Sequence, residues 1–169
     1  STICLAVHLF VLHRGMEFQV SLPWISIGDL NIPFGYLITP LSVMMMMVVT
    51  GVGSAIFIYS KGYMADDESQ PRFFAYLSLF AFSMIGIVLS NNFIQLFMFW
   101  ELVGLSSYLL IGFWYLKPSA ADAGVKAFMV NRLADFGFLC GILLLWSLSG
   151  HGASRSFLFT DLQTIISTI

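Results

Sequence analysis

Apolar residues run along this chain in long blocks, and the polar positions gather in the short gaps between them. Four blocks, at 36–60, 73–89, 93–114 and 123–148, approach the ~20 residues that a membrane-spanning helix needs. Hydrocarbon excludes open sheet edges, because every backbone polar group must be satisfied internally, so these blocks are predicted as helices. A shorter run, TICLAVHLFVL, opens the chain; as a helix it rises only about 16 Å against a hydrocarbon core of ~30 Å. It lacks the basic start and small-residue end of a signal peptide, and 1–13 read as the second half of a truncated spanning helix. The gap at 14–35 is different. Its alternating apolar positions, with Gly28-Asp29 and Asn31-Ile32-Pro33, predict an extramembrane hairpin or loop. A tight Ser90-Asn91-Asn92 turn joins two antiparallel helices, and Lys117-Pro118-Ser119 breaks the chain before the last block. Residues 149–169 read as a loop and the start of a further segment. The fold class is therefore an all-α polytopic membrane protein. It is expected as a bundle of about five transmembrane helices, with 36–148 as a four-helix unit of a larger protein.

Composition agrees. Of 169 residues, 59% are hydrophobic and 9% charged, where a soluble domain carries about 25% charged residues. A soluble fold of this length could not bury so much apolar surface. The net charge of −2 comes without a basic run, so nucleic acid is not expected as a partner. Lys61, Arg72, Lys117 and Lys126 fall on one side of the predicted spans and Arg14 and Arg155 on the other, so the first side is expected to be cytoplasmic. Cys4 and Cys140 sit in apolar stretches and read as buried free thiols.

The charges inside the spans are few and expensive: an ionised residue at a helix centre costs ~2.5–3.5 kcal/mol on insertion scales. Glu101 lies about 12 Å along its span; Asp135, on a span running the other way, lies about 18 Å from the opposite end, which places both at a similar depth. Arg132 precedes Asp135 by one turn, a spacing that lets the two side chains meet. That pair reads either as a structural bridge or as part of an ion path. Glu101 has no Lys or Arg on its own helix, so it either stays protonated or meets a cation from another helix. Both options suit a proton relay. Gly104, one turn on, leaves room for a water or a close helix. Tyr108 lies near the same face, and Asn131 shares a polar flank with Arg132 and Asp135. Lys126 falls nearly opposite Asp135, near the inner interface, as a snorkelling anchor or an entry group.

Weaker signals read as packing or solvation. Gly137 and Gly141 form a GxxxG pair expected to pack helices. Met44–Met47 read as apolar filler, Asp66, Asp67 and Glu68 as a solvated loop, and His8 and His13 frame no ligand face. No CxxC, phosphate loop or dinucleotide fingerprint occurs, so no redox cofactor is expected on this chain.

Three stretches, IYSKGYMADDESQPRFFAYLSLFAFSM, FMFWELVGLSSYLLIGFWY and KAFMVNRLADFGF, together resemble the antiporter-like membrane subunit L (subunit 5) of respiratory complex I, NADH:quinone oxidoreductase. SLPWISIGDLNIPFGYLITPLSVMM resembles the segment before them. The resemblance implies a proton-translocating helical bundle without a cofactor of its own. NADH, FMN, iron–sulfur clusters and quinone would belong to partner subunits. The partners implied are other membrane subunits and the lipid bilayer, with a bacterial inner membrane as the expected setting. The family's buried proton-channel glutamate, in its WE-x-VG motif, falls on Glu101; its buried Arg and Asp fall on Arg132 and Asp135, and its lysine of the KAF segment on Lys126. The glutamate's usual lysine partner would lie beyond Ile169. Thr39 and Asn91 depart from the family pattern, standing where acids are frequent. Two readings stay open beside the leading one. The first is the large subunit of a multi-subunit cation/proton antiporter or membrane-bound hydrogenase, and the second a structural membrane scaffold.

Overall fold

A computed structural model describes residues 18–27, 30–148 and 157–162. The expected truncated span at 1–13, with Cys4, His8 and His13, lies outside the described residues, as do Arg14 and Arg155. The described elements are β1 (Phe18–Ile27), β2 (Leu30–Ile38), α1 (Pro40–Tyr63), α2 (Gln70–Leu89), α3 (Phe93–Ile111) and α4 (Pro118–Leu148). All four helices are long and apolar enough to cross a membrane, and the chain is an integral membrane protein.

The two strands pair antiparallel, from Phe18 opposite Ile38 to Ile27 opposite Leu30. Pro23 faces Pro33, and neither has an N–H to give the ladder. The next pair is Ile25 with Ile32, which leaves Trp24 as the extra residue of a bulge; its indole meets Phe34 edge-on at 5.8 Å. β2 runs to Ile38, so the first full helix starts at Pro40 rather than Tyr36. The reason is local. Thr39 is extended and caps the helix: its hydroxyl accepts from the Ser42 N–H at 3.1 Å, while the Ser42 hydroxyl accepts from the Thr39 N–H at 2.7 Å. Pro40 follows at a position that needs no N–H. Proline likewise stands in the first turn of α2 (Pro71) and begins α4 (Pro118), so both helices start earlier than their apolar blocks.

Polar residues within the spans turn back on their own helices. Thr50, Ser54 and Ser83 donate to the carbonyls of Met46, Thr50 and Leu79 at 2.6–2.7 Å, so these hydroxyls need no water. Consecutive helices pack on one another. α2 and α3 approach closely at Gly86, where a Cβ would collide with the Phe99 ring. Gly137 and Gly141, expected to pack helices, face open space among the described residues. Met46 is buried while Met44 and Met45 are exposed, as filler at the bundle edge would be. Cys140 is a free, half-buried thiol.

Opposite ends of the bundle are closed differently. At one end, Asp67 joins the α1–α2 and α3–α4 connections by accepting from the Trp114 indole at 3.0 Å. Arg72 lies over the Phe113 and Tyr115 rings at 4.9 and 5.1 Å, and Lys117 over Trp114 at 4.9 Å. Lys61, Arg72 and Lys117 thus share one end, the side expected to be cytoplasmic. At the other end the hairpin docks on the start of α3. The Gln95 side chain accepts from the Gly35 N–H at 3.0 Å and donates to its carbonyl at 2.9 Å, acting as a further peptide unit along β2. A Cβ at Gly35 would strike the Val20 carbonyl, so only glycine fits there. Asn92 donates to the Pro33 carbonyl and accepts from the Gln95 N–H, both at 2.8 Å. Ile32, Ile142 and Phe157 form the buried core that ties hairpin, α4 and the 157–162 segment together.

Candidate functional site

The site lies where α3 crosses α4, one helix carrying Glu101 and the other Arg132 and Asp135. The neighbouring Trp100 and Glu101 project about 100° apart around α3, and both reach α4. The Arg132 guanidinium pairs with the Glu101 carboxylate through Nη1 and Oε2. The same nitrogen donates to Asp135 Oδ2 at 3.3 Å, and Nη2 donates to the Glu101 backbone carbonyl at 3.2 Å. One guanidinium therefore serves two carboxylates from two helices. Its flat face lies over the Phe128 ring at 4.5 Å, an attraction of cation to ring that strengthens as water is removed.

Asp135 is the buried member, 6% exposed, whereas the Arg132 and Glu101 side chains are 27% and 30% exposed. The Trp100 indole N–H donates to Asp135 Oδ1 at 3.0 Å, so donors occupy both oxygens of this carboxylate. Glu101 and Asp135 thus meet at one level through Arg132. Gly104 faces the guanidinium, and a Cβ there would sit 3.6 Å from Arg132 Nη2, an ordinary contact. The space at Gly104 is filled by Arg132.

Other expected contributors stand aside. Ser106 and Ser107 donate to the Val103 and Gly104 carbonyls of their own helix. Tyr108 packs on Phe128, ring centroids 5.3 Å apart. Asn131 and Lys126 are exposed, with no hydrogen bond or ion pair to the cluster among the described residues. Outside the spans, Asp67 is held below the ordinary carboxylate value of 3.8, first by the Trp114 indole and then by the Ser69 N–H. Thr39 and Asn91 are a helix cap and a buried side chain, 1% exposed, that accepts from Asn92.

Trp100, Phe128 and Gln95 were not legible as partners in the sequence. The signal available for Trp100 was its depth: tryptophan collects at membrane interfaces, yet this one sits beside a mid-span acid. For Gln95 it was an amide inside an apolar block, where a bond to another element is required.

Comparison with known proteins gives consistent matches. The family model described as NADH-Ubiquinone oxidoreductase (complex I), chain 5 N-terminus matches residues 24–74, and that described as NADH:quinone oxidoreductase/Mrp antiporter, TM matches residues 90–168. The chain is 56% identical over 133 residues to NAD(P)H-quinone oxidoreductase subunit 5, chloroplastic, of Anthoceros angustus, covering 79% of this chain and 18% of that protein. It is 49% identical over 157 residues to the protein of the same name from Ipomoea purpurea, covering 93% and 22%. The chain thus spans about a fifth of the length of these relatives, which are chloroplastic rather than bacterial. In fold it resembles the Mrp complex from Dietzia sp., with a TM-score of 0.78, 22% identity and 95% of this chain and 17% of that chain covered. It also resembles the archaeal membrane-bound sulfane sulfur reductase, with a TM-score of 0.70, 19% identity and 98% and 24% covered.

Proposed function

Because the chain belongs to the family of complex I chain 5 and related antiporter-type membrane subunits, we propose that it forms part of the proton path of a subunit 5 in an NAD(P)H–quinone oxidoreductase. The observation that carries this reading is the Glu101–Arg132–Asp135 cluster inside the spans. Two carboxylates and one guanidinium sum to −1 when both acids are ionised, and burying that charge uncompensated is costly. One proton brings the cluster to neutrality. The cluster therefore has a state with a proton bound and a state without one, and in each Arg132 keeps a carboxylate partner.

Glu101 is the proton-carrying group in this reading. Among the described residues its carboxylate pairs with Arg132 alone and is 30% exposed, whereas Asp135 is buried and takes a second donor from Trp100. Protonation weakens the Glu101–Arg132 pair and leaves the guanidinium to Asp135. Release of the proton restores the pair. The family's lysine on a following helix would drive the exchange by approaching and leaving Glu101. Lys126, about 9 Å nearer the start of α4 than Arg132 and on another side of the helix, serves as an interfacial anchor. Electrons travel elsewhere: NADH, FMN, iron–sulfur clusters and quinone would be handled by partner subunits, and this chain contributes the proton path.

Substitution of Glu101→Gln in the full-length protein tests the proposal. The expected result is an assembled complex that still reduces quinone but has lost most of its coupled proton translocation in vesicles. Translocation at the normal rate overturns the relay. Failure to assemble would favour the structural scaffold instead.

A further inference from the structure

We propose that Trp100 is a positioning residue of the relay, whose indole N–H occupies Asp135 and thereby assigns the mobile proton to Glu101. The inference rests on the relay reading above and deepens it. Three observations carry it.

The first is depth. Trp100 is the eighth residue of α3, about 10 Å from the helix start. Tryptophan serves as an anchor at the headgroup level, where its N–H finds water. At the depth of Glu101 an indole N–H must find its acceptor in the protein, and it finds Asp135 Oδ1 at 3.0 Å.

The second is the division of oxygens. An indole N–H only donates, and so does a guanidinium. With Trp100 on Oδ1 and Arg132 on Oδ2, each oxygen of the buried Asp135 already accepts from a donor that does not give up its proton. The Glu101 side chain is 30% exposed, and among the described residues only Arg132 pairs with its carboxylate. The charged groups of this crossing, among the described residues, are Glu101 from α3 and Arg132 and Asp135 from α4, with the Tyr108 phenol of α3 packed on Phe128 beside them. Lys126 lies on another side of α4, and α2 presents its own cation, Arg72, at the far end of the bundle.

The third is rigidity. The indole is held edge-on by Phe138 at 6.0 Å, and Phe138 in turn by Phe97 at 5.8 Å. The indole, 48% exposed overall, thus has one edge set against an aromatic pair drawn from both helices.

The test is Trp100→Phe in the full-length protein within its assembled complex, which keeps an aromatic ring at this position and removes the donor together with part of the ring volume. Infrared difference spectra across the translocation pH range report which carboxylic acid is protonated. With Trp100 present, the protonated-carboxyl band of the cluster is expected to vanish in Glu101→Gln and persist in Asp135→Asn. With Trp100→Phe, part of the band is expected to survive Glu101→Gln and to disappear only when Asp135→Asn is added. Coupled translocation in Trp100→Phe is expected to fall about tenfold, the scale of one lost charge-assisted hydrogen bond. A band that follows Glu101 alone in both backgrounds overturns the positioning role, even if translocation falls for reasons of packing. Should Glu101→Gln itself leave translocation intact, the relay fails and not merely the role of Trp100.

Discussion

Gln95 offers a sharp test of how the extramembrane hairpin is held. Its side chain is 1% exposed, and both ends of its amide bond the same residue, Gly35, at 3.0 and 2.9 Å. Gln95→Leu preserves the approximate volume and suits an apolar helix, but it deletes both bonds at once. The Gly35 N–H and carbonyl are then left buried without this partner, at about 1–3 kcal/mol each. Leucine recovers part of the loss, at ~0.8 kcal/mol per additional buried methylene. A net loss of roughly 2–4 kcal/mol is expected, and it falls on hairpin docking rather than on the α3–α4 crossing. The assay is amide hydrogen exchange of the full-length protein in lipid nanodiscs. A loss at the lower end of that range corresponds to a fall of roughly thirtyfold in protection. That fall should appear at Gly35 and its β2 neighbours, with α4 amides around Arg132 unchanged. Unaltered protection at Gly35 would refute the claim that Gln95 serves as a surrogate strand. An equal loss across α3 and α4 would refute the claim that its effect is local.

Two further outcomes follow from the packing and the loops. Gly86→Ala forces a methyl into the Phe99 ring, an overpacking that should cost about 1–3 kcal/mol and lower the melting temperature in detergent. Adding Phe99→Leu should recover part of that loss, and strict additivity of the two changes would count against direct contact. Asp67 has a folded value below its ordinary 3.8, chiefly through the Trp114 indole, so its contribution is complete above the ordinary carboxylate range and lost as pH falls through the folded value. The gap in melting temperature between wild type and Asp67→Ala should therefore close on acidification below the ordinary value, and a gap independent of pH would show that the Asp67–Trp114 link is not electrostatic.

The spans were legible because hydrocarbon imposes a single rule on backbone and length. Apolar blocks near twenty residues marked every described helix, and the residues that shifted the boundaries, Thr39, Pro40, Pro71 and Pro118, carry their capping and proline chemistry openly. Glu101, Arg132 and Asp135 stood out for the same reason, since charge in an apolar block is costly wherever it points. Their similar depth also followed from rise per residue alone.

Partnership was another matter. Helical spacing links Arg132 to Asp135 because both lie on one helix. Nothing local tells that the same guanidinium reaches Glu101 from across the α3–α4 crossing, that Trp100 takes the other Asp135 oxygen, or that Gln95 completes an edge of β2 sixty residues away. Those contacts depend on the rotation and approach of neighbouring helices, which are set by close fits such as Gly86 against Phe99. From the sequence alone came an integral membrane protein of four described spans with two acids inside them at matching depth. Only the tertiary structure decided which charged groups meet, because a salt bridge between helices is fixed by packing distance and not by position along the chain.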